Sequence, residues 1–454
     1  MRTSSPKVLF LYILILTFNL PCVIFAQCTG GMALGFPAGD NNLIGATLDW
    51  NGPANLSMLK AKLVTDGKYR YLRVAFGGQP GDGAWLNEKG LGYKDFSRLI
   101  GSAYLTKIEI DQEMVSDQLM KTSDSAKSFI DTWTPILTQS GCGQPEDSYC
   151  GWALLVVDNT EGYLVEAGDV NDNGTVKHPY AVFGPMKNTV FAHSNYYLDE
   201  TLRSYQMILS GNTVGGVGYE RARHLWNMLT QKQYFKISSN IDTAIIDVPF
   251  FMDVLRSRGT ESVRSKDEQK QRWFQKPLSC AVKSQGIDAI CKNVGTSGIE
   301  NIGLTYCGQI IKPSKTYPQF LSCIWSGLSF PLTSPYLPFY IGINELPAKL
   351  QSGDKEGDFA YVFNQLYNLV FCEKNVKGKA VLTPSMSKLK SIIPVWENFD
   401  GETYKQSIEI ESQVAALAAE GKESEARQLL SDFLDKRMND AIVIAQDLIT
   451  KWSK

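Results

Sequence analysis

An α+β fold is expected from three features of the chain. Short apolar runs of β-prone residues, broken by Gly, Pro, Asn and Asp clusters, recur through its first three quarters. Segments with apolar residues at three- and four-residue steps fill its end. Its 454 residues, 44 % apolar and 20 % charged, describe a soluble globular protein with ample core. Strands followed by helices is an α+β layout. The length accommodates two or three average domains, or one large domain with a helical appendage.

The first 26 residues read as a secretory signal: Arg2 and Lys7, the apolar run Val8 to Phe18, then Asn19 to Ala26. Val8 to Ala26 is also long enough for an N-terminal membrane anchor, the minor alternative. A cut after Ala26 places a small residue at the cut and leaves Gln27 as a one-residue propeptide. Residues 28–395 are then the core and 396–454 a C-terminal helical segment packed on it.

The elements follow in order. Cys28 to Phe36 and Leu43 to Trp50 flank a turn at Pro37–Asn42 and read as a hairpin. Tyr71–Phe76 is a strand. Ser125–Thr138 is a helix with Phe129, Trp133 and Leu137 on one face. Trp152–Val157 and Tyr163–Glu166 form a second hairpin, and Thr189–Ala192 is a strand leading into His193 and Ser194. Tyr219–Leu229 reads as a helix and Arg256–Gln275 as an exposed loop. Apolar runs return at Ile302–Ile311 and Phe320–Ser326, followed by Pro-rich punctuation at Pro331–Pro338. Phe359–Phe371, Ser407–Ala419 and Glu423–Trp452 are helical, the last with a packing stripe through Leu430, Leu434, Met438, Ala441 and Ala445.

A net charge of −2 gives no reason to expect nucleic acid or an anionic membrane as partner. Of nine cysteines, Cys22 leaves with the signal and Cys28 stands apart. In an exported chain Cys142–Cys150 and Cys280–Cys291 are the expected local disulfides among the other seven, an odd number that leaves a cysteine over. With three histidines and no CxxC pair, no metal site and no cofactor is expected. Asn55 and Asn173 lie in glycosylation sequons. Asp169 to Gly174 opens like a calcium loop, but position twelve is Tyr180 where a bidentate Glu is required, so a turn between strands is the reading.

Cys28 is the candidate centre. At a processed N-terminus a cysteine carries thiol and α-amine on adjacent carbons, with reference pKa values of about 8.5 and about 7.7–8.0. That is a nucleophile with its base built in.

Four patches in chain order support the same position: Cys28-Thr29-Gly30 opening a strand, Leu48-Asp49-Trp50 ending its partner, Asn87-Glu88-Lys89-Gly90-Leu91-Gly92, and Asn195 after a strand. On these the chain resembles the cysteine N-terminal-nucleophile (Ntn) hydrolases: choloylglycine hydrolase, penicillin V acylase, and the aminopenicillanate acyltransferase and dipeptidase branches. The resemblance implies a four-layer αββα sandwich, two antiparallel sheets between helix layers. It implies that Cys28 is the nucleophile, that Asp49 holds its amine, and that Asn195 donates to the oxyanion. Arg221 falls near the family's late arginine, and Arg223 matches nearly as well. Asn87 and Ser97 match substrate-side positions, although Asn87 reads better as the builder of the turn before Gly90. Ser97 stands where a second family Asn is expected, and Ala46 where the bile-salt and penicillin V enzymes carry an Arg.

The reading implied is an exported amidohydrolase that cleaves linear amide bonds through a thioester. It would act on a small amide or short peptide in a secreted, periplasmic or lysosome-like compartment, with no membrane partner once the signal is removed; an oligomer is compatible with the sequence. The alternatives are a dipeptidase or acyltransferase on the same scaffold, and a non-catalytic binding protein with Cys28 in a disulfide.

Overall fold

The computed structural model describes residues 28–50, 59–76, 83–97, 112–140, 151–168, 170–172, 175–194, 196–204, 208–209, 212–213, 222, 225–226, 228–230, 245–256, 304–351, 355–376 and 379–453. Two antiparallel sheets organise these residues. Their strands are β1 (Gly30–Gly35), β2 (Asn41–Trp50), β3 (Leu59–Val64), β4 (Tyr71–Phe76), β5 (Ala84–Asn87), β6 (Gly92–Ser97), β7 (Gly151–Val157), β8 (Gly162–Gly168), β9 (Tyr180–Met186), β10 (Thr189–His193), β11 (Leu304–Lys312), β12 (Cys323–Gly327) and β13 (Leu337–Tyr340). The first sheet has the order β10-β1-β2-β11-β12-β13, and the second β9-β8-β7-β6-β5-β4-β3.

The β1–β2 hairpin forms where expected. A short 3₁₀ turn, Phe36–Ala38, joins its strands, and Gly39 and Asp40 take left-handed φ of 60° and 67°. A glycine suits the first and an aspartate tolerates the second.

The sheets face each other through alternate residues of each strand. A Cβ on Gly92 of β6 would lie 2.5 Å from Ile311 of β11, and one on Gly162 of β8 would lie 2.9 Å from Leu34 of β1. Met32, Leu34, Ile44 and Ile311 thus share one core with Leu72, Leu86, Leu155 and Leu164.

Helices cover both outer faces. α1 (Gln112–Thr122) and α2 (Ala126–Ser140) close the second sheet over Tyr71, Trp85 and Tyr93. The rings stack in sequence: Tyr71 on Trp85 at 5.5 Å, Trp85 on Tyr93 at 5.5 Å, and Tyr93 against Phe129 at 5.3 Å. Below the first sheet lies α3 (Val248–Leu255), packed so closely that a Cβ on Gly45 would overlap the Phe251 ring at 2.0 Å. α4 (Phe359–Val370), α5 (Met386–Ala419) and α6 (Glu423–Trp452) complete that layer. The result is a mixed αββα sandwich with C-terminal helices, as expected.

Several local expectations are corrected. The helix expected from Ser407 begins at Met386 and runs through Pro394 and the expected 395/396 boundary. Its buried face, Leu389, Ile392, Ile393, Trp396 and Phe399, outweighs the missing proline donor. Arg256, expected at the start of an exposed loop, is 5 % exposed; its guanidinium donates to Pro331 O, Ser334 O and Asp400 Oδ2. The run from Phe320 starts in a helical turn, Pro318–Leu321, and becomes a strand only at Cys323. Strand β13 begins within the end of the Pro-rich punctuation and runs past it, and α1, β3 and β9 have no counterpart among the expected elements. Val170–Asp172 pairs with Thr175–Lys177, in keeping with a turn and not a calcium loop. Residues 1–27, both sequons, both expected disulfides and most of the predicted helix at 219–229 lie outside the described residues. Among the described residues, no helix is long and apolar enough to cross a membrane.

Candidate functional site

Cys28 sits two residues before β1, 2 % exposed, and its sulfur is a thiol. The disulfide expected of a purely structural Cys28 is not what the described residues show. Three polar side chains fix the backbone around it. The Ser194 hydroxyl donates to the Cys28 carbonyl at 2.7 Å. The Thr29 N–H donates to Thr47 Oγ1 at 3.1 Å, and Thr47 N–H returns a bond to Thr29 O at 2.8 Å. Since the Ser194 proton points to Cys28, the 3.3 Å contact between Thr29 Oγ1 and Ser194 Oγ is donated by the threonine. Thr29, Thr47 and Ser194 are all fully buried.

Two register rows face each other one step inward from Cys28. In the first sheet His193, Gly30, Ala46 and Gln309 lie side by side across β10, β1, β2 and β11. In the second, Phe96, Ala153 and Glu166 lie across β6, β7 and β8. The rows meet at two points. Phe96 fills the space a side chain on Gly30 would need, with its Cζ 2.8 Å from that Cβ position. Glu166 Oε1 stands 3.3 Å from His193 Nε2, both side chains fully buried. The His193 ring lies between Phe191, at 5.9 Å, and Tyr196, at 4.8 Å.

Glu166 also accepts the backbone N–H of Leu198, at 2.9 and 3.0 Å, and of Asp199, at 2.9 Å. Burial alone would raise its pKa. His193 and these two amides outweigh burial and hold the carboxyl below its ordinary value, so it is charged at neutral pH. The segment after β10 is thereby tied to β8 at one end and to Cys28, through Ser194, at the other.

A second buried charge lies nearby. Lys94, between Gly92 and Phe96 on the inner face of β6, is 1 % exposed in its side chain. Its ammonium donates to Asp95 O at 2.7 Å and Asp95 Oδ1 at 3.0 Å, and lies 5.5 Å from the Phe96 ring centre. Gln309 donates to Val74 O at 2.6 Å, bridging the sheets.

The residues expected at the site fall into three groups. Cys28 is at the mouth of the first sheet. Asp49 is in β2, paired in register with Thr305, and Ser97 ends β6 opposite Trp152; the side chains of both lie outside the described residues. Asn195, Arg221 and Arg223 also lie outside them, Asn195 being flanked by the described Ser194 and Tyr196. Asn87 is fully buried and its amide is used up by the fold: Oδ1 accepts from Lys89 and Leu91 within the turn, while Nδ2 donates to Met120 O and Ser123 O at the end of α1. No donor or lone pair is left for a substrate.

Sequence reading passed over Glu166, Lys94 and Thr47. The available signal was a charged residue at an inward position of an otherwise apolar strand, as in Gly162–Gly168.

No family model matches the chain, and no curated protein matches it. Among solved structures, a mutant conjugated bile acid hydrolase from Clostridium perfringens is similar, with 13 % identity over 70 % of this chain and 91 % of that chain and a TM-score of 0.32. A second variant of the same hydrolase gives 14 %, 66 %, 89 % and 0.31. The sandwich described above rests on strand order and facing rows, independently of that likeness.

Proposed function

We propose that the chain is an exported Ntn-type amidohydrolase that cleaves a linear N-acyl bond through a thioester on Cys28. The observation that supports it most is the pinning of Cys28. Its carbonyl and the next amide are held by buried side chains at the head of β1, while the thiol and the α-amine are the groups the chemistry needs.

Residues 1–26 leave as the signal. The Cys28 thiol then attacks the Gln27 carbonyl carbon; the Gln27–Cys28 C–N bond breaks, its nitrogen takes the thiol proton and becomes the free amine, and water hydrolyses the resulting thioester to release Gln27 and restore the thiol. In turnover that amine takes the thiol proton as sulfur attacks the substrate carbonyl carbon. Asp49 holds the amine by a charge-assisted hydrogen bond. The oxyanion accepts a hydrogen bond from the Asn195 amide, with Arg221 or Arg223 orienting the substrate. The amine passes its proton to the leaving nitrogen, and the C–N bond breaks. Water, deprotonated by the amine, hydrolyses the thioester. An acyltransferase would replace that water by a second amine, and a dipeptidase would add a site for the substrate's own amine.

The test is amine release from a panel of N-acyl amino acids, β-lactams and dipeptides, run with wild type and Cys28→Ala. Turnover in wild type and none in the variant supports the reading. Equal rates in the two would reject it.

A further inference from the structure

The geometry points to Glu166 as the positioning residue of the site: a buried carboxylate that holds the chain on either side of Ser194 in the arrangement where the Ser194 hydroxyl grips the Cys28 carbonyl. This rests on the functional reading above and names a residue that reading does not use.

A glutamate with a fully buried side chain on an inner sheet face costs free energy unless every lone pair is engaged. Glu166 is met by one short stretch of chain: Leu198 N–H donates to both oxygens, Asp199 N–H donates to Oε2, and His193 Nε2 lies 3.3 Å from Oε1 as an ion-pair contact. Those partners bracket Ser194 and Asn195 on both sides. The same stretch reaches Cys28 through the 2.7 Å bond from Ser194. Strand β8 is interior to its sheet, fully buried and paired on both edges, so it is a rigid base for such an anchor. The segment it holds begins at His193, the last residue of β10, and follows that edge strand of the other sheet, which has a strand partner on one side only. A carboxylate from one sheet thus ties down the chain that bonds to the Cys28 carbonyl at the head of the other. Aromatic contacts from Phe191, Tyr196 and Phe96 set the His193 ring in place for its share of the contact.

Glu166→Gln keeps the size of the side chain but removes its charge and turns one acceptor into a donor facing backbone N–H groups. Glu166→Asp keeps the charge but shortens its reach. The measurement is double. Hydrogen exchange is followed on the peptide covering residues 193–199 and on β7 as an internal reference. Single-turnover acylation and steady-state kinetics are measured on the same preparations. In Glu166→Gln, exchange should rise at 193–199 and stay unchanged in β7. Its kcat should fall about 10²-fold with KM nearly constant, the scale of a misplaced catalytic group. Glu166→Asp should recover part of both. Unchanged exchange at 193–199 overturns the anchoring role, whether or not the chain is an amidase. Raised exchange there with wild-type kcat overturns its link to catalysis. Exchange rising equally in β7 overturns it in favour of a general packing role. A wild type without Cys28-dependent turnover rejects the functional reading first, and the exchange result still decides whether Glu166 holds the segment.

Discussion

Ser194 donates its hydroxyl to the Cys28 carbonyl at 2.7 Å across 166 positions of sequence. The bond joins the residue just after the edge strand β10 to a residue two positions before β1, and Thr29 feeds a second hydroxyl into the same serine at 3.3 Å. Backbone rotation at Cys28 is thus restrained from its carbonyl side.

Ser194→Ala removes this bond without adding bulk. A lost neutral hydrogen bond is worth about 1 kcal/mol, so kcat should drop by roughly 5- to 10-fold with KM nearly unchanged. Steady-state kinetics on an active amide substrate check it. A change in KM alone would mean that Ser194 touches substrate and does not set Cys28.

Asn195→Ala separates an oxyanion donor from a residue that merely closes the turn after Ser194. Loss of the donor should lower the acylation rate by about 10²–10³-fold. A turn-closing role should instead cost about 1 kcal/mol of stability and leave the rate per folded molecule near wild type. Thermal midpoint and single-turnover rate are measured together.

Much of the sandwich was legible because its strands are short apolar, β-prone runs and its turns carry Gly, Asn and Asp. The hairpin around Pro37–Asn42 and the strand Tyr71–Phe76 show this. The long helix from Met386 was not, because Pro394 and Gly401 argue locally against a helix that tertiary burial of Trp396 and Phe399 enforces. At the site, Cys28 stood out by its position after a signal-like segment. Glu166 and His193 did not, since their meaning depends on two sheets bringing them to 3.3 Å. No pattern within either strand encodes that approach.

Gly30 should not tolerate a side chain. A Cβ there would come within 2.6 Å of Ala46 Cβ and 2.8 Å of Phe96 Cζ, so Gly30→Ala should destabilise the fold by about 1–3 kcal/mol. Denaturant unfolding reads this directly. Stability equal to wild type would mean that the two rows are not in contact.

Asp253 predicts a pH dependence remote from Cys28. Burial, above all, pushes its carboxyl well above its ordinary value, against the pull of Arg256 and with Glu397, Asp400 and Asp247 adding to the rise. Its Oδ2 is buried without a hydrogen-bond partner among the described residues. A carboxyl with a raised folded pKa binds more protons in the native than in the unfolded state. Its contribution is therefore fully present below the unfolded value of 3.8 and is lost as pH rises through the folded one. Asp253→Asn should match wild type at about pH 4 and exceed it in thermal midpoint at about pH 8. A variant less stable than wild type at the higher pH would contradict this.

The central claim is tested most directly by trapping the acyl-enzyme. Wild-type protein mixed with a cleavable N-acyl amide and quenched in acid should yield a peptide beginning at Cys28 that carries the acyl mass. The adduct should be labile to hydroxylamine, as a thioester is, with Gln27 absent from the chain. The predicted result is that adduct in wild type and none in Cys28→Ala. Turnover by a protein that begins at Gln27, or an acyl group recovered on any residue other than Cys28, would contradict the account.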